Sequence, residues 1–179
     1  VHPEHEYAFV DVGEDRYLIA AELVGRTMTA IGAENYCVVK TVKGSELEGM
    51  VFKHPIYDRN SVLVHADYVT LEDGTGVVHT APGHGREDFE TGQRYGLEVL
   101  NPVNEKGVFT EKAGQFAGLH ILKQGNQAVI DALKERGMLL ASDKVEHSYP
   151  HCWRCHNPVV FRTTVQWFMS IDHNDLRER

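Results

Sequence analysis

Gly74-Thr-Gly-Val-Val-His-Thr-Ala-Pro-Gly-His-Gly-Arg-Glu-Asp-Phe89 is the stretch on which the reading of this chain turns. Its sixteen positions hold four glycines, two histidines, a proline and the adjacent carboxylates Glu87 and Asp88. Val77-Val78 carries a strand signal, the Gly/Pro-rich run that follows reads as a loop, and the pattern predicts a helix beginning near Arg86. A strand-loop-helix junction is a natural ligand site. Backbone N–H groups are free at the helix start, and glycine lets a ligand approach the main chain closely.

Outward from this junction, the pattern predicts strands at 7–12 and 16–20 joined by a turn at Gly13-Glu14-Asp15. A helix over 21–31 follows, with Leu23, Met28 and Ile31 on one face and Gly32 as its stop. Further strands are expected at 36–42 and 61–69. The helix at Arg86 should end at Gly96. Another is expected from Ile121 to Arg136, with Ile121, Gln124, Ala128, Val129, Ala132 and Leu133 on one face and Gly137 beyond its end. The order of elements is too irregular for a doubly wound parallel sheet. It predicts a mixed α/β domain with a curved, β-barrel-like sheet and peripheral helices over residues 1–142. Composition then shifts, and residues 143–179 read as a connecting segment that leaves the domain.

The 179 residues carry 18 basic and 26 acidic side chains, a net charge of −8. That excludes a general nucleic-acid binder, whose affinity rests on phosphate neutralisation, but not a module that touches one end of an RNA. No apolar run approaches the roughly 18–20 residues of a membrane span. Three cysteines, Cys37, Cys152 and Cys155, make no disulfide framework, so a reducing compartment and a cytoplasmic location are expected. Cys37, in strand-like sequence, is expected in the core.

Cys152-x-x-Cys155 has the spacing of a zinc knuckle. Its readings are a local site completed by His147, His151 or His156, half a site whose partners lie outside these residues, a redox pair, or two free surface thiols. His79, His84 and Asp88 follow an H-x4-H-x3-D spacing, but Pro82 and Gly83 intervene between the imidazoles, and no further carboxylate lies close enough to finish a hydrolytic metal centre. Asp88 is better read as a charge anchor. In the first turn of a helix, at the mouth of a glycine loop, it suits a cationic group such as an ammonium, or simply complements the helix terminus. Glu87 reads as solvated. Thr80, Gly83, His84 and Gly85 are the loop positions nearest such a ligand.

Together with Tyr95-Gly-Leu-Glu98, Asn101-Pro-Val103, His147-Ser-Tyr-Pro-His-Cys-Trp-Arg-Cys155 and Gln166-Trp-Phe-Met-Ser170, the opening stretch resembles the bacterial isoleucyl-tRNA synthetase family. The segments are similar to its inserted editing domain and the start of the return to the catalytic core. The resemblance implies hydrolytic proofreading. A missing methylene is worth only about 1–3 kcal/mol, so a synthetic site cannot fully reject valine, and a second, smaller pocket removes it from mischarged tRNA. By the same resemblance, Asp88 anchors the substrate ammonium and His79 lines and sizes the side-chain pocket. The implied partners are the 3′ end of tRNA(Ile) carrying valine and the rest of the synthetase chain. The fragment is expected to be a monomer that engages no membrane. ATP and Mg2+ would belong to the parent's catalytic domain. The cysteine pair would hold Zn2+ as a half-site with an earlier C-x-x-C.

The reaction would be attack of water on the aminoacyl ester, for which positioning and oxyanion stabilisation can suffice. His84 and a ribose hydroxyl stand as alternative bases. A threonine-rich run, which the family places in the same pocket, does not occur in these residues and is expected upstream of Val1. A tRNA-end docking module without chemistry, and a metallohydrolase using His79 and His84, are the competing readings.

Overall fold

The computed structural model describes residues 1–144, 148–173 and 177. Strand β1 (Glu6–Val12) lies between β2 (Asp15–Ala20) and β3 (Cys37–Lys43), antiparallel to both. β1 and β2 form the expected tight hairpin, Val12 opposite Asp15, with Gly13 in the left-handed region at φ 62°. A 3-10 turn at Ala21–Leu23 runs into helix α1 (Val24–Ala30), and Gly32 at φ 69° ends it. Leu23, Val24 and Met28 from this helical stretch pack with Tyr7, Ala8, Val10, Ile19 and Ala20 into the main core.

A second sheet is a short hairpin of β4 (Val51–Lys53) and β5 (Asn60–Val62). Helix α2 (Arg86–Tyr95) has the bounds the sequence pattern predicts, closed by Gly96 at φ 63°. The last helix opens with a π turn, Ile121–Gly125, before α3 (Asn126–Glu135). A smaller core of Ala113, Phe116 and Ala132 forms there, with Ile56, Phe109, Ala128 and Val129 packed against it.

Five expectations are corrected. The sheet is mixed-fold but open: β2 and β3 are both edges among the described residues, so no barrel closes. The strand expected over 61–69 stops at Val62, because Leu63 turns to bond Met50 and Gly49 and the following segment folds back at Ala66–Val69. Val77-Val78 is not a strand. Ala20 N–H bonds Thr75 O and Gly76 sits at φ 70°, turning the chain off the sheet edge before a ladder can form. Gln124 is exposed, since the π turn shifts register and puts Gly125 inside, against Phe109. Cys37 is exposed at the start of edge strand β3, in which only Val42 is buried. No helix among the described residues is long and apolar enough to cross a membrane.

The link from core to site is Tyr7. Its ring is 0% exposed; its hydroxyl donates to Gly76 O at 2.9 Å and accepts from His2 N–H at 2.8 Å. Tyr7→Phe leaves the buried Gly76 O and the half-buried His2 N–H unpaired and is expected to lower stability by about 1–3 kcal/mol, read from the denaturant midpoint.

Candidate functional site

The loop between Ala81 and α2 is tied by its own carboxylate. Asp88, in the first turn of α2, accepts from Ala81 N–H at 3.0 Å through one oxygen and from the Tyr68 hydroxyl at 3.1 Å through the other. Tyr68 is itself bonded by Thr91 Oγ1, which is 3% exposed. His84 N–H closes a turn onto Ala81 O. Asp88 therefore answers an orphan loop amide and complements the helix terminus together. Its half-buried carboxylate still has lone pairs for a cation.

The glycines of the loop differ in what they permit. A Cβ on Gly83 would meet Leu100 O at 2.0 Å, so no side chain fits. Gly85 is extended at φ −156°, and a Cβ there would find only ordinary contacts with Asp88. Gly92 is packed under the Pro82 ring, which seats α2 on the loop.

Beside the loop lies a cavity of about 370 Å³. His79, Thr80, Ala81, Pro82 and His84 form one side. His54, Ile56, Tyr57 and Arg59 of the β4–β5 connection form another, and Leu100, Phe109, Phe116 and Val129 supply an apolar floor. Arg59, Lys112 and Glu98 are the charged residues of its lining. Of the residues singled out in sequence, His79, Thr80 and His84 line the cavity; Gly83, Gly85 and Asp88 do not, and organise the loop that borders it.

Three histidines of the lining are differently held. His79 is exposed, and its ring meets that of His54 edge-on at 6.3 Å. His84 Nδ1 donates to Phe161 O at 3.0 Å, while its Nε2 is buried without a partner. The same segment bonds the loop again through Thr163 N–H to Gly83 O, and Asn101 Nδ2 donates to Thr163 O. Burial first, then the charge of Arg59 and the His79 imidazole, hold His54 below the usual imidazole range. His54 and Tyr68 were missed in sequence. The His-Pro turn between two apolar stretches was the available signal for His54; nothing local marked Tyr68.

At the other end, Cys152 and Cys155 form a tight knuckle. Cys152 O accepts from His156 N–H and Cys152 N–H donates to Asn157 O, with His156 in the left-handed region at φ 55°. The N–H groups of Cys155 and Arg154, with the Cys155 thiol, hold the Cys152 thiol below the ordinary cysteine range. Donors aimed at sulfur suit a thiolate ligand. His147 lies outside the described residues, and among those described no three His, Cys, Asp or Glu side chains converge as metal ligands.

A mixed α/β domain with a glycine loop, a carboxylate at the helix mouth and an apolar cavity has the features by which small-ligand sites are recognised. Residues 20–146 match the sequence profile described as "Leucyl-tRNA synthetase, editing domain", and the chain belongs to that family. The chain is 55% identical over 179 residues to the isoleucine–tRNA ligase of Nitratidesulfovibrio vulgaris and 50% identical over 179 residues to that of Petrotoga mobilis. It is 49% identical over 181 aligned residues to the ligase of Thermotoga maritima. All of this chain is covered in each case, and it spans 19–20% of the relatives' length.

Because Gly83 is pressed against a main-chain carbonyl, Gly83→Ala must displace the loop. It is expected to cost upwards of about 2 kcal/mol. Amide exchange should accelerate at least about tenfold at Thr163, whose partner is Gly83 O, as read by hydrogen-exchange mass spectrometry or NMR.

Proposed function

We propose that this chain is the proofreading domain of an isoleucine–tRNA ligase and hydrolyses valine from mischarged tRNA(Ile). The observation that carries the reading is the placement of His79 and Thr80 on an apolar cavity directly beside the loop that Asp88 organises. The relatives' identity over the whole chain supports the same reading.

In this account the Asp88 carboxylate takes the substrate ammonium with the lone pairs left by Ala81 and Tyr68. His79 limits the depth available to the aminoacyl side chain, and Thr80, Gly83, His84 and Gly85 shape the loop around the ester. Residues 1–142 are the editing unit and 143–179 the connection towards the synthetic site. ATP and Mg2+ serve the parent's ligation chemistry. The partners are the tRNA 3′ end and the rest of the ligase, in the cytoplasm. Cys152 and Cys155 fit two thiolate ligands of one Zn2+, whose role would be to pin the knuckle, with the remaining ligands supplied from outside this chain.

The test is made in a full-length ligase carrying this sequence as its editing segment. Asp88→Asn keeps an oxygen for Ala81 N–H and removes the charge. It should slow release of valine from Val-tRNA(Ile) by at least about 100-fold while leaving the thermal midpoint within a few degrees. Undiminished deacylation would dismiss Asp88 as anchor. His79→Ala should admit isoleucine and narrow the ratio of valine to isoleucine ester hydrolysis; an unchanged ratio removes His79 from the pocket. For the knuckle, metal analysis should find one fewer zinc per molecule in Cys152→Ser than in the unsubstituted ligase, and an equal count would refute the half-site.

A further inference from the structure

His54 stands outside every role assigned so far, yet its hydrogen bonds leave little freedom. Its Nδ1 accepts from two backbone donors, Ile56 N–H and Tyr57 N–H, each at 3.1 Å. A proton on Nδ1 would face both of these donors, so the imidazole is neutral and its proton resides on Nε2. The turn itself is braced. His54 N–H bonds Arg59 O, the Tyr57 hydroxyl donates to Ala113 O, and Arg136 caps the carbonyl of Ile56. With one ring edge occupied by the turn, the edge carrying Nε2–H is left to the cavity that the ring lines, next to His79. The hydrogen bonds of the ring among the described residues are both at Nδ1, which leaves Nε2 open to solvent.

A neutral imidazole held as a pure donor is a recognised way to polarise a carbonyl without supplying a proton. We propose that His54 Nε2–H donates to the carbonyl oxygen of the aminoacyl ester and stabilises the oxyanion formed during its hydrolysis. The proposal rests on the proofreading reading above and adds to it a catalytic donor. Water oxygen bonds to the ester carbon and the carbonyl π pair moves onto the oxygen facing His54. The tetrahedral centre then collapses, the bond to the ribose oxygen breaks, and that oxygen takes the proton released by the attacking water. Valine and a free ribose hydroxyl result, and His54 keeps its own proton throughout. The donor is fixed before the substrate arrives, which is what makes such a group effective.

Two substitutions separate the donor from the turn. In His54→Asn the amide oxygen can replace Nδ1 as acceptor for the Ile56 and Tyr57 N–H groups, an arrangement natural to asparagine, but the distal donor is lost. His54→Gln restores a donor near the Nε2 position. In the full-length ligase, His54→Asn should lower kcat for Val-tRNA(Ile) deacylation about 100-fold with KM within about threefold, and His54→Gln should recover part of that loss. In the wild-type 179-residue chain, the long-range nitrogen–proton NMR couplings of the His54 ring should show the Nε2–H tautomer. An Nδ1–H tautomer, or a His54→Asn enzyme with unchanged kcat, overturns the proposal. A wild-type ligase that releases no valine at all would instead defeat the proofreading reading, and the tautomer measurement would still report on His54 by itself.

Discussion

The bond from Ala81 N–H to the Asp88 carboxylate is the constraint on which the site depends. It joins the last extended residue before the loop to the first turn of α2, so everything between them is fixed by its two ends. Within that span Gly83 can lie flat against Leu100 O and His84 reaches the cavity wall, while His79 and Thr80 line the cavity just before it. The second oxygen of the same carboxylate is held by Tyr68, itself bonded by buried Thr91 on α2. A carboxylate held on both oxygens is fixed in direction, which a group meant to grip an ammonium requires.

The two cores bear on the site differently. The β-sheet core holds the chain leading into the loop through the Tyr7 hydroxyl on Gly76 O. The smaller core around Phe116 supplies the apolar floor and braces the His54 turn through Tyr57. The segment after the cysteine knuckle is bonded to the loop, with Phe161 O on His84 and Thr163 N–H on Gly83 O. A change in the direction of that segment would be felt at the loop, through the His84 ring and the Gly83 carbonyl.

Much of this was legible in the sequence where the signal is local. The β1–β2 hairpin, the helix over 86–95 with its Gly96 stop and the cysteine knuckle all rest on residues within a few positions of one another. What escaped depended on partners far along the chain. Val77-Val78 has strand composition but no neighbouring strand among the described residues, because the Thr75 and Gly76 contacts turn it away. Cys37 lies on an edge that nothing among the described residues covers, and Gln124 was displaced by a π turn that no period-3.6 pattern reveals. In the site, Asp88 and His79 carry family-specific neighbours in sequence. His54 and Tyr68 do not, since their roles come from a turn and a helix brought together only by folding.

The central claim is that Asp88 grips the ammonium of the amino acid presented to this site. Calorimetric titration of the full-length ligase with a non-hydrolysable valyl-adenosine amide, and with its counterpart lacking the α-amino group, tests it directly. The account predicts at least about tenfold weaker binding of the des-amino compound, which is about 1.4 kcal/mol, and loss of that difference in Asp88→Asn. Equal affinity of the two compounds for the unsubstituted enzyme would contradict it.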